Sequence, residues 1–177
     1  MNSTEAASPI AEMSSVHKER VWLDVLGVGA RWILGCVFIY MGLTKVAHPE
    51  QFLKLIRQYD AISQPFVLNS IGALLPWFEI WCGVFLLAGI AVRGAALNVV
   101  LMLIPFTVLI LKRALAVASA QSLAFCAVKF DCGCGNGEVV ICHKLVENCG
   151  LILLALFVVA GFGRRLCVRH SLFGASA

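Results

Sequence analysis

A chain of 177 residues that is 60% hydrophobic and 14% charged, with a mean hydropathy of +0.91, lies far from the half-apolar, quarter-charged average of a soluble domain. Its apolar residues come in long blocks, which excludes a soluble multidomain enzyme and a disordered scaffold. The net charge of +4 comes from 14 basic residues scattered without a long run, so no patch tracks nucleic-acid phosphates and the excess reads as interfacial anchoring.

Residues 1–20 read as a polar tail; they lack an apolar core followed by a small-residue cleavage site, so they do not form a signal peptide. With no lipidation motif at either end, membrane attachment rests on spanning segments. Blocks over about 22–46, 68–92, 94–111 and 148–162 are expected to cross the roughly 30 Å hydrocarbon core. None shows the alternation of a barrel strand, so the spans are helices. The fold expected is an all-α integral membrane bundle of four transmembrane helices over 21–163, followed by a basic tail over 164–177.

Between the first two spans, Pro49 suits the first position of a helix. Phe52, Leu55, Ile56 and Tyr59 then fall on one helical face, with Lys54, Arg57 and Asp60 opposite. This predicts a short amphipathic helix near Pro49 to Ala61 in the headgroup plane, or a lid over the bundle. After the third span, Lys112-Arg113 leads into ALAVASAQSLAFCAVKF, which either prolongs the helix or folds back along the surface. A cysteine-rich extramembrane loop follows over about 126–146, and Gly133, Gly135 and Asn136-Gly137 make Asp131 to Glu138 a tight turn.

Five of the eight cysteines, Cys126, Cys132, Cys134, Cys142 and Cys149, lie in one short stretch. The others, Cys36, Cys82 and Cys167, sit in or at the end of apolar segments and read as packing residues. Cys132-Gly133-Cys134 is a Cys-x-Cys pair, whose small ring departs from relaxed disulfide geometry and suits exchange better than stapling. The cations Lys129 and Lys144 favour a thiolate nearby. Cys132, Cys134 and Cys142 are therefore the candidate catalytic group. The alternatives are a structural disulfide from Cys134 or Cys132 to Cys142, and a zinc site that adds His143. The spacing is against zinc, because Cys142 and His143 are adjacent, and neither ferredoxin spacing is present.

Charges inside spans cost about 2.5 kcal/mol or more near a helix centre and ask for a partner. If the first two spans are antiparallel and centred near Leu34 and Ile80, Arg31 and Glu79 lie within about a helical turn in depth. One reading is a buried Arg31–Glu79 ion pair that fixes register. The other is a polar pocket for a quinone headgroup, or a proton path, walled by Trp77 and Trp81. Lys45, near the end of its span, is expected to snorkel to the headgroups, and Pro76 and Pro105 to kink their helices.

An even number of spans puts both termini on one side. Basic residues on the two sides nearly balance, but Arg164-Arg165 abutting the last span favours cytoplasmic termini. The cysteine loop would then face the outer, oxidising side of a bacterial inner membrane.

The order RWILG at Arg31 to Gly35, FIYMGLTK at Phe38 to Lys45, HPEQF at His48 to Phe52, LPWFEI at Leu75 to Ile80, and CGCG ahead of Glu147-Asn148 resembles the DoxX and MauE-like membrane proteins over about Arg31 to Gly161. The resemblance implies a four-helix membrane bundle associated with redox work. Members are similar to a partner subunit of thiosulfate:quinone oxidoreductase, or to a protein needed to mature the disulfide-rich small subunit of methylamine dehydrogenase. This chain departs from the family's common Cys-Gly-Cys-Phe-Gly form, with Gly135-Asn136-Gly137 after Cys134, and adds Cys142, His143 and Cys149.

Two functions are thus expected. One is a membrane redox partner whose loop cysteines pass thiol–disulfide equivalents between an extracytoplasmic thiol protein and an acceptor such as a quinone. The other is a non-catalytic accessory subunit of a larger membrane electron-transfer complex. Four helices without an inverted repeat make a solute carrier the weaker reading.

Overall fold

Several helices end where the sequence removes a backbone donor or demands an unusual dihedral. In the computed structural model, which describes residues 7–58, 64–122, 124–131 and 137–163, with side chains from residue 21, helix α1 runs Ala7–Ala47 and stops just before Pro49. Proline cannot donate to the ladder and disfavours helix in the residue before it. Pro49 instead opens α2, Pro49–Gln58, and Pro65 opens α3, Pro65–Ala88. Helix α3 closes on Gly89 at φ 71°, whose N–H donates to the Phe85 carbonyl, the left-handed cap that glycine adopts at least cost. Helix α4 runs Val92–Gln121 and α5 Ile141–Val159.

Four of these helices are long and apolar enough to cross a membrane: Val21–Ala47 of α1, then α3, α4 and α5. The segment after Lys112-Arg113 prolongs α4 to Gln121 rather than folding back. Helix α5 begins at Ile141, so Cys142, His143 and Lys144 lie in its first turns rather than in the loop. The amphipathic helix is present over Pro49–Gln58; Tyr59, Asp60 and Ala61 lie outside the described residues.

Helix α1 packs most extensively against α3, and α4 against α5. Glycine makes the first contact possible. A Cβ on Gly83 would stand 2.7 Å from the Gly35 carbonyl oxygen, and one on Gly42 2.7 Å from the Pro76 oxygen. Backbones that close gain dispersion contacts, which drive helix association where lipid removes the hydrophobic incentive. Leu34, Phe38, Leu86, Ala96, Val99, Ala155 and Val158 fill the centre of the bundle. A second cluster, Met41, Ile110, Ala114, Val128, Phe130 and Ile141, roofs it at the end where α1 stops.

That roof contains an element the sequence reading lacked. A short 3-10 turn, Phe125–Ala127, leads into strand β1, Lys129–Asp131, which pairs antiparallel with β2, Glu138–Val140, in the register Phe130↔Val139. Phe130 is buried under the hairpin, while its neighbours Lys129 and Asp131 face outward to different degrees.

The glycine contacts also set the register of α1 against α3, and it differs from the expected one. Gly42 lies against Pro76 and Ile80, and Gly35 against Gly83 and Leu87. Glu79 is therefore level with about Met41. Arg31 lies about ten residues, or roughly 15 Å, from that level, whereas Lys45 is about four residues, or roughly 6 Å, away. The expected Arg31–Glu79 pair does not form: Glu79 pairs with Lys45, and Arg31 donates to the Gly163 carbonyl at 3.2 Å. Lys45 does not snorkel outward; it turns into the bundle.

Candidate functional site

The chemistry-bearing residues gather at the end of the bundle formed by the last turn of α1, helix α2, the hairpin and the first turns of α5. Helix α2 is held there by its apolar face. Phe52 is buried, and Leu53 and Ile56 lie over Gly72 of α3, where a side chain would displace Leu53.

Beneath α2 sits the Lys45–Glu79 pair. The Lys45 ammonium donates to both carboxylate oxygens, at 2.5 and 2.6 Å, and lies 5.3 Å from the Phe52 ring centroid. The two side chains are only 4% and 8% exposed, so each charge depends on the other. A cavity of about 350 Å³ opens above them, lined by Thr44, Lys45, His48, Phe52, Asp131 and Gly137 among others. Asp131 and Gly137 are the residues that border Cys132–Asn136 in the sequence. A second cavity of about 420 Å³ lies beside it, between α2 and the hairpin, where Lys54, Arg113, Lys129, Asp131 and Glu138 face one another. Arg113 donates to the Gln58 side chain at 2.6 Å and stacks over Phe130, with its guanidinium carbon 4.9 Å from the ring centroid.

The loop is tied down covalently. Cys126 of the 3-10 turn and Cys142 of α5 form a disulfide, with their Cα atoms 5.2 Å apart. The Val128 carbonyl accepts from the Ile141 N–H at 3.2 Å beside it. The partner expected for Cys142 was Cys132 or Cys134, so this is a correction. The chain reverses so that the 3-10 turn meets the start of α5. Cys132 and Cys134 lie outside the described residues. Cys36, Cys82 and Cys149 are free thiols, and Cys82 is buried in the core as a packing residue.

The second expected constellation is dispersed. Glu79 faces α1, whereas Trp77 and Trp81 are 54% and 57% exposed on the outward side of α3, so they do not wall a pocket around it. Arg31 is at the opposite end of the bundle, near Gly163 and Asp24; the Gly163 N–H donates to the Asp24 carboxylate at 3.1 Å. Lys144 is buried on α5 and reaches Glu147 at 3.1 Å. Among the described residues no group of three or more His, Cys, Asp or Glu is placed to hold a metal ion.

Sequence reasoning counted Cys126 among the clustered cysteines but left it out of the candidate group, and it missed the partnership of Lys45. The available signal for Lys45 was the spacing of Gly35 and Gly42, which marks the close contact that sets the register.

A family model described as Methylamine utilisation protein MauE covers residues 23–161. No curated protein and no solved structure matches.

Proposed function

The chain belongs to the MauE family of membrane proteins, and from that premise we propose that it exchanges thiol–disulfide equivalents with an extracytoplasmic protein through its loop cysteines. The observation that carries this reading is the Cys126–Cys142 disulfide, which closes a ring of chain containing Cys132 and Cys134 in sequence. Four sulfurs in one short segment permit internal transfer. A Cys134 thiolate attacks one sulfur of the Cys126–Cys142 bond and displaces the other as a thiolate. Cys132 then closes on Cys134 and releases the attacked sulfur. The Cys132–Cys134 disulfide, strained by its small ring, oxidises two thiols of the partner to a disulfide and returns to the dithiol. Reoxidation falls to a membrane quinone or a second thiol–disulfide protein.

The proposal sets the loop outside a bacterial inner membrane and both termini in the cytoplasm. A disulfide persists in an oxidising compartment, and Arg164-Arg165 after the last span supports the same orientation.

Replacing Cys134 by Ser is expected to abolish exchange while the helices remain folded, since lipid-phase packing holds them. Membrane-impermeant maleimide on intact cells, before and after reduction, reports the side and state of the loop. Activity that survives Cys134→Ser with normal assembly defeats the exchange mechanism. The second reading is a non-catalytic accessory subunit, and the outward-facing Trp77 and Trp81 favour it. It expects the same substitution to weaken assembly and leave no redox signature.

A further inference from the structure

The outward side of α3 and α4 presents hydrogen-bonding groups at hydrocarbon depth. Trp77 stands at the middle of the 24-residue helix α3, and Trp81 lies about 6 Å further along it, both inside a half-core of about 15 Å. Tryptophan favours the membrane–water interface, where its N–H meets water. Here both rings are more than half exposed, and neither N–H has an acceptor among the described residues. Ser70, Leu74, Trp77 and Trp81 recur at helical spacing and form one stripe.

Beside that stripe an apolar groove of about 390 Å³ runs between α3 and α4, past Phe66, Ser70, Leu74, Phe78 and Leu101. Its one amide is Asn98, exposed and likewise without a hydrogen-bond partner among the described residues. Asn98 lies six residues inside α4, about 9 Å from its start. An asparagine side chain is too short to reach the headgroups from there.

Acyl chains supply neither donor nor acceptor, so these groups ask for a protein neighbour. The face also matches itself. Indole is a donor only, and the amide is both donor and acceptor. Helices α3 and α4 are antiparallel about the turn at Gly89–Ala91, and Trp81 and Asn98 lie almost equally far from that turn, hence at the same depth. A two-fold axis along the membrane normal preserves depth, so it brings Trp81 of one copy to the level of Asn98 in the other.

We propose that this face is the contact between two copies of the chain, in which each Asn98 accepts a hydrogen bond from the partner copy's Trp81 and the groove receives its indole. The dimer does not depend on the thiol chemistry proposed for the loop.

The test uses the full chain. A photo-crosslinking benzoylphenylalanine at Leu101, in native membranes, is expected to give an adduct of twice the chain mass. The same probe at Leu153, exposed on α5, is expected to give none. In lipid nanodiscs, Asn98→Leu and the conservative Trp81→Phe, which keeps a ring and removes the N–H, are each expected to lower the dimer fraction at least tenfold, with helix content by circular dichroism unchanged. A Leu101 adduct of any other mass, a monomer both in membranes and in nanodiscs, or a dimer indifferent to both substitutions overturns the proposal.

Discussion

Replacing Glu79 by Gln leaves the Lys45 ammonium buried beneath α2 with no countercharge from α3. The contact is bidentate, at 2.5 and 2.6 Å, and almost fully enclosed. At an effective dielectric of about 20, charges about 3 Å apart attract by roughly 5 to 6 kcal/mol, an attraction largely offset by the desolvation of both ions. Removing one partner exposes the uncompensated desolvation, so Glu79→Gln is expected to cost about 3 to 5 kcal/mol, and Lys45→Met a comparable amount. Removing both charges, in Lys45→Met with Glu79→Leu, is expected to cost less than either single change. The measurement is a double-mutant cycle on unfolding midpoints in detergent, with Arg31→Leu as a second cycle against Glu79. The Lys45–Glu79 coupling is expected to exceed about 2 kcal/mol, and that of Arg31 with Glu79 to lie within the roughly 0.5 kcal/mol of independent sites. Additive behaviour in the first cycle, or strong coupling in the second, refutes the register assigned to α1 and α3.

Unreduced digestion of the resting protein is expected to yield a peptide linking Cys126 to Cys142. Cys142→Ser, which opens a crosslink of sequence separation 16, is expected to remove about 3 kcal/mol of loop stabilisation and to speed limited proteolysis there; a Cys132–Cys142 or Cys134–Cys142 peptide in the resting protein contradicts this. Gly83→Leu is expected to disrupt the α1–α3 contact by driving a side chain into the Gly35 carbonyl, whereas Gly94→Ala, which meets nothing within 4 Å, is expected to be neutral or to stabilise by up to about 1 kcal/mol in thermal unfolding.

The four spans were legible because a bilayer imposes length and apolarity on every spanning segment, and Pro49 and Pro65 punctuate the chain at the observed helix starts. The hairpin was not. Strands of three residues carry too little alternation to declare themselves, and Phe130 and Val139 acquire meaning only when they pair over Ile141. The ion pair was half legible. Glu79 announced that it needed a cation, but which one depends on a shift of a few residues between two helices, and that shift is decided by where glycine lets backbones touch. Cys126 stood in the cysteine cluster, but spacing alone does not choose a partner among five cysteines, and its pairing with Cys142 depends on the fold bringing α5 beside the 3-10 turn.

The hydrogen bond from Arg31 to Gly163 spans 132 residues, and this separation imposes an order in time. Arg31 enters the bilayer with the first span, whereas the carbonyl that receives it is made only after the fourth span has been synthesised. A guanidinium is thus committed to the membrane long before one of its acceptors exists. Gly27 and Gly163, whose backbones meet with no room for a side chain on either, then let the end of α5 close against α1. Closure at this end is a last step of assembly, and until it occurs the first helix carries a polar group still short of a contact that the finished bundle provides.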